Sequence, residues 1–165
     1  MSYVTSRAAL AALFVVCTIG LGLGLYAYFY GPAANGMRRE TITLTTSAGR
    51  KTISAEIALS QPEQEQGLMF RKRMGDDEGM LFVYRRPQDI TMWMRNTYLS
   101  LDMLFIGADG RIAHIVEGAE PLSERIISSG GRAQSVLELK AGTVRRLGLA
   151  AGDRVSAPSM NVSAP

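Results

Sequence analysis

The chain has 165 residues, one cysteine and one histidine, and its 18 basic and 15 acidic residues leave a formal charge of +3. That length gives one domain rather than two once a hydrophobic N-terminus is set aside, because about 130 residues suffice for a single core. Cys17 lies inside the apolar run, which excludes a disulfide, a cysteine-based zinc site or a thiol nucleophile in the folded part, and the scattered basic pairs do not form the basic face of a nucleic-acid binder.

Ala8 to Tyr30 carries no charge, which at 1.5 Å per residue is roughly 35 Å of helix, enough to span a hydrocarbon core of about 30 Å. Tyr26, Tyr28, Phe29 and Tyr30 gather at its end, as in an interfacial aromatic belt. Residues 1–30 therefore read as a membrane anchor, with a cleaved signal segment as the alternative; Gly31-Pro32-Ala33-Ala34 offers only a mediocre small-x-small site. No small residue precedes Cys17, so a lipoprotein is not expected. Arg7 faces Arg38 and Arg39 across the segment, and the positive-inside count nearly cancels. A short leading tail before an apolar run favours export. The expected location is the cytoplasmic membrane, single-pass, with the C-terminal domain in the periplasm, or free in the periplasm if the segment is cleaved.

Residues 31–40 read as a linker, 41–156 as the domain and 157–165 as a disordered tail. Thr41–Thr46 and Thr52–Leu59 alternate apolar and polar residues and predict a hairpin turning at Ala48-Gly49. Ser60-Gln61-Pro62-Glu63 has the form of a capping box opening a short helix to about Met69. Strands are predicted at 79–84, 90–97 and 101–106, with Asp109-Gly110 turning into 111–116. Residues 121–132 read as a loop, 135–139 as a strand, 143–147 as a helical turn, and 152–155 start a closing strand. The expected architecture is mainly β, an antiparallel barrel or sandwich with one or two short helices.

The motifs G-L-M-F-R (67–71), G-M-L-F-V (79–83), M-W-M-R-N-T (92–97), L-D-M-L-F-I (101–106), S-V-L-E-L (135–139) and G-D-R-V (152–155) resemble, in order and spacing, the DUF192 family, also called UPF0127. The resemblance covers about 41–156 and implies a small, mainly β, often exported domain, but no biochemical activity. Met92, Arg95 and Ser100 stand where the family often has Phe, Lys and Pro.

Asp102 and Glu138 each interrupt an apolar strand, and buried carboxylates need partners; Arg71 and Arg95 are the expected ones. The bland reading is a set of structural ion pairs. The functional reading is a pocket in which Arg71, Trp93, Arg95, Asn96, Asp102 and Glu138 hold a small polar ligand, with Trp93 as a stacking platform. A third reading makes Asp102 and Glu138 the acid and base of a glycosidase-like hydrolase, which requires the two carboxyls within about 5–9.5 Å. His114 is expected to be structural, since no second histidine or cysteine could complete a zinc site or a thiol centre with it. Met92-x-Met94 raises Cu(I) as a minor alternative to core filling. No cofactor, metal or nucleic acid is expected; the expected partners are the membrane through the N-terminal segment and a small polar ligand or envelope protein. A binding or accessory module comes first, the hydrolase second, and a structural partner-binding domain without a pocket third.

Overall fold

Alternation along the chain becomes seven strands: β1 (Arg39–Thr46), β2 (Gly49–Ala58), β3 (Glu78–Met92), β4 (Leu101–Ile106), β5 (Ile112–Ala119), β6 (Ile127–Lys140) and β7 (Arg154–Ser156). Two short helices, α1 (Gln61–Gln66) and α2 (Thr143–Leu147), and a 3₁₀ turn at Pro158–Asn161 complete the elements. The computed structural model describes residues 36–161. The membrane segment expected at 1–30 lies outside them; among the described residues no helix is long and apolar enough to cross a membrane.

The strands form one curled half-barrel sheet in the order β5-β4-β6-β3-β2-β1-β7. At one corner its two ends meet, where Arg111 bridges Arg154 and the Val155 N–H donates to the Gly110 carbonyl at 2.8 Å. The sheet is not wholly antiparallel as expected, because β2 and β3 run parallel. Parallel neighbours need a long crossover, and residues 59–77, carrying α1, provide it.

Both faces of the central strands are covered, which is why Leu101–Ile106 is buried at every position. Leu104 and Ile106 point into the concave core with Ile42, Ile57, Leu137 and Val155. Leu101, Met103 and Phe105 point to the other face, packed with Leu68, Met80, Phe82 and Met94 under the α1 crossover and the turn after β3. Met94 is thus a core methionine.

Two expected boundaries move. The strands predicted at 79–84 and 90–97 are one long strand, β3, whose second half pairs with residues 127–133, half of the segment read as a loop. Bulges after Val83 and Asp89 let the paired ribbon bend past the edge of the core, so it loses the apolar alternation by which strands are read. Residues 93–97 form a turn instead, closed by the Thr97 N–H on the Met94 carbonyl at 3.0 Å. At the C-terminus, residues 157–161 of the expected tail are placed on the domain: Ala157 and Ser159 are buried, and the Ser159 N–H donates to Glu40 Oε2 at 2.9 Å; residues 162–165 lie outside the described ones.

Gly79 marks the tightest strand contact. A Cβ there would lie 2.7 Å from the Glu138 carbonyl oxygen and 2.9 Å from Leu139 Cδ2. Gly79→Ala is expected to force β3 and β6 apart and to lower stability by about 1–3 kcal/mol, read as a drop in the urea midpoint with an unchanged slope.

Candidate functional site

The capping box forms as read from sequence: Glu63 Oε2 accepts the Ser60 and Leu59 N–H groups at 2.8 and 2.9 Å, and the Ser60 hydroxyl accepts the Glu63 N–H. These bonds hold the Glu63 carboxyl below the usual range. Gln64 ties α1 to the sheet, its Nε2 donating to the Ala58 and Val83 carbonyls at 3.3 and 3.0 Å. Gly67 ends the helix at φ 46°, where a Cβ would meet Phe82 Cζ at 3.2 Å, so only glycine closes the chain this tightly over the ring.

The segment after Gly67 then packs on the turn after β3. Asn96, in the left-handed region at φ 56°, accepts the Phe70 N–H on its carbonyl at 2.8 Å and places Nδ2 3.9 Å from Met69 Sδ. The same turn is held from below, with the Met94 N–H on the Ser123 carbonyl at 2.9 Å and the Leu122 N–H on the Thr97 carbonyl at 3.0 Å. Trp93 projects from this turn, 44 % exposed, with the Arg95 guanidinium 4.6 Å above its ring.

Between α1, Met69, β3 and the Trp93 turn lies a cavity of about 230 Å³. Phe82, Tyr84, Met92 and Trp93 form much of its wall, Gln64 and Thr97 add polar groups, and Glu138 lies within it.

Glu138 belongs to one row of side chains crossing the sheet: Arg39, Glu56, Met80, Glu138, Met103 and Val116 are register neighbours on successive strands. Two carboxylates therefore share this face two strands apart, roughly 10 Å by strand spacing. Glu56 is answered twice, by Arg71 in a two-pronged ion pair and by Arg39 at 3.0 Å. The Arg71 fork, above all, and then the Arg39 bond hold its carboxyl below the usual range against the opposing effect of burial. Glu138 is only 4 % exposed, and among the described residues no side chain or backbone group donates to it. Its oxygens reach the cavity, since the Ser159 hydroxyl is the one fully enclosed side-chain polar atom without a partner among those residues. Burial pushes the Glu138 carboxyl up to about 8. Burial, and then the Glu138 charge, also raise the Tyr84 phenol.

The arginines expected to meet Asp102 and Glu138 are thus engaged elsewhere, Arg71 on Glu56 and Arg95 on Trp93. Asp102 is fully buried on the concave face and satisfied by backbone: Oδ1 accepts the Gly118 N–H and Oδ2 the Val144 N–H, both at 2.9 Å. It pins the β5 bulge and the first turn of α2, which has no side-chain cap of its own. Because Asp102 pairs in register with Leu139 and Glu138 with Met103, the two carboxylates point to opposite faces. The acid–base pair of the hydrolase reading is therefore not assembled. Of the six residues singled out, Glu138 and Trp93 line the cavity, Arg95 and Asn96 organise its rim, Arg71 holds Glu56 on the same face, and Asp102 holds structure on the opposite one. His114 is exposed on β5, its ring stacked on Phe105 at 5.9 Å.

Gln64, Met69 and Tyr84 are site residues that the strand motifs did not single out. For Tyr84 the signal was present, since it follows Met80 and Phe82 at period two on the Glu138 face. Arg71→Ala is expected to cost about 1–2 kcal/mol at pH 7, less than a sealed ion pair because Arg39 remains on Glu56. Glu56 is ionised through this pair, so the difference between wild type and variant should shrink as the pH falls below about 4, in urea titrations at successive pH values.

The DUF192 family model, described as "Uncharacterized ACR, COG1430", matches residues 42–157. The chain belongs to the DUF192 family. No curated protein matches it. Among solved structures, it is similar to a Sinorhizobium meliloti protein described as a candidate transcription regulator, at 45 % identity and TM-score 0.74, over 76 % of this chain and 98 % of that one. It is also similar to a protein of unknown function from Novosphingobium aromaticivorans, at 38 % identity and TM-score 0.72, over 76 % of this chain and 89 % of that one. The match covers nearly the whole of the Sinorhizobium chain. Residues 37–165 of this chain form the corresponding compact unit.

Proposed function

We propose that this DUF192 domain is a non-enzymatic binding or accessory module, held at the outer face of the cytoplasmic membrane by the apolar segment 8–30, and that its ligand enters the cavity over Glu138. One observation carries the reading: a carboxyl 4 % exposed, opening into a cavity, with no donor among the described residues. Folding leaves few buried polar groups unanswered, and an acid whose burial costs stability persists where something outside the chain completes it. The aromatic wall, with Trp93 half exposed at the rim, gives such a ligand an apolar contact. A DNA-reading role gains no support from α1 and α2, which at six and five residues are too short to lie along a major groove.

The test is a thermal-shift screen of residues 37–165 against sugars, envelope fragments, amines, nucleotides and metal ions, because a ligand that binds only the native state raises its melting temperature. A shift lost in both Trp93→Ala and Glu138→Gln is the expected result. Shifts that survive both substitutions would place binding elsewhere and overturn the assignment of this cavity.

A further inference from the structure

We infer that the cavity over Glu138 takes an organic cation, a small molecule presenting an ammonium or quaternary nitrogen on a compact apolar body. The inference rests on the pocket reading above and names its ligand class.

Three features of the lining point the same way. Its charged side chains are Glu138 at the sheet and Glu65 on α1, and no lysine, arginine or histidine is among the residues that line it. A carboxyl in low-dielectric surroundings discriminates strongly in favour of a positive partner. The second feature is the wall: Phe82, Tyr84 and Trp93 with the thioethers of Met69 and Met92 offer π faces and polarizable sulfur, surfaces that attract a weakly hydrated cation and give a neutral sugar few hydrogen bonds. Trp93 already shows this preference within the chain, holding the Arg95 guanidinium 4.6 Å from its ring. The third is the contrast along one row of the sheet. Glu56 meets two arginines, whereas Glu138, on the same face, meets none and opens to the cavity.

The proton balance gives the inference a signature. The titratable groups around Glu138 are Tyr84 on β3 and Glu65 on α1; β4 sets Met103 beside it, and Arg95 lies beyond Trp93. Without a cation beside it, the Glu138 carboxyl is pushed up to about 8 by burial. A cation entering favours the carboxylate, so the Glu138 proton leaves to solvent and the ligand nitrogen keeps its charge. Affinity then rises about tenfold per pH unit until the acid ionises unaided near pH 8. A neutral ligand that accepts a hydrogen bond from the protonated acid shows the reverse dependence.

The experiment is calorimetric titration of residues 37–165 at pH 6, 7 and 8 with choline and with benzylamine, each beside its neutral counterpart, 3,3-dimethylbutan-1-ol and benzyl alcohol. Expected are binding of at least one cation about tenfold or more tighter than its counterpart, affinity rising with pH, release of about one proton at pH 6, and loss of binding in Glu138→Gln. Trp93→Ala, on an exposed turn, should weaken the cation about threefold to thirtyfold. Neutral compounds that bind while the cations do not, or affinity that falls with pH, would overturn the ligand class and leave the pocket standing. A shift given by cuprous or divalent metal alone, and lost in Glu138→Gln, would also overturn it. If none of the cations and none of their neutral counterparts binds the folded wild-type domain at any of the three pH values, both the ligand class and the pocket reading fail.

Discussion

Glu138→Gln is expected to stabilise the domain by on the order of 3 kcal/mol near pH 7, with a difference that depends on pH in a defined sense. The native carboxyl keeps its proton to about 8, whereas in the unfolded chain it loses it in the ordinary glutamate range near 4.5. Between those values the native state binds more protons than the unfolded state. Wild-type stability therefore falls as pH rises through this window, by about 1.4 kcal/mol per unit for this one group. Glutamine fills nearly the same volume without an ionisable proton, so the variant lacks this contribution. Urea denaturation of both proteins at pH 4, 5, 6, 7 and 8 should show curves that coincide at pH 4 and diverge steadily to pH 8. A glutamine variant that is less stable than wild type at pH 7 would show that Glu138 has a donor and is ionised in the native state.

The sign of that effect bears on function. Most buried polar groups cost stability when removed; Glu138, pushed up by burial without a donor, is expected to do the opposite. Residues of that kind concentrate where a ligand or a reaction uses them. The same row of the sheet contains its own control in Glu56, whose arginine partners make it a structural acid.

Asp102→Ala is the largest expected loss. Its carboxylate accepts two backbone N–H groups, from Gly118 and from Val144, at 2.9 Å and in full burial. Hydrogen bonds to a charged group contribute about 1.5–3 kcal/mol each, and the alanine leaves both donors unanswered in the core. A loss of roughly 3–5 kcal/mol is expected. Asp102→Asn should recover little, because its amide NH₂ must face one of the two donors. Hydrogen exchange of the α2 amides should accelerate before the rest of the sheet opens, since the cap joining this turn to β4 is gone. A loss under about 1 kcal/mol would show that the bulge and the α2 turn hold their positions without the carboxylate. The two strand-interrupting acids thus give opposite expectations, stabilisation on removing one and collapse on removing the other.

Local chemistry was legible where neighbours along the chain settle it. The hairpin at Ala48-Gly49 and the Ser60–Glu63 capping box form where read, and α2 covers the turn expected at 143–147. The DUF192 motifs gave the family and the mainly β character. The parallel β2–β3 pair was missed because the short apolar runs do not encode strand direction; the length of the 59–77 crossover does so only weakly. Half of the ribbon at 88–92 and 127–133 was missed because bulges break the period-two pattern and its residues face solvent more than core.

That Asp102 and Glu138 are acids embedded in strands is legible along the chain, since each interrupts an apolar run, and such acids require an explanation. Which explanation each has depends on how the strands pair. Periodicity assigns a residue to a face, but the register between strands decides what that face meets. A one-residue difference in position sets Asp102 among backbone donors on the concave face and Glu138 at a cavity on the opposite side. Both motif arginines, Arg71 and Arg95, are nearer in sequence to Asp102 than to Glu138, yet neither pairs with either acid. Their destinations, Glu56 and the face of Trp93, follow from how the α1 crossover and the 93–97 turn fold over the sheet, which are contacts between segments that no local pattern records.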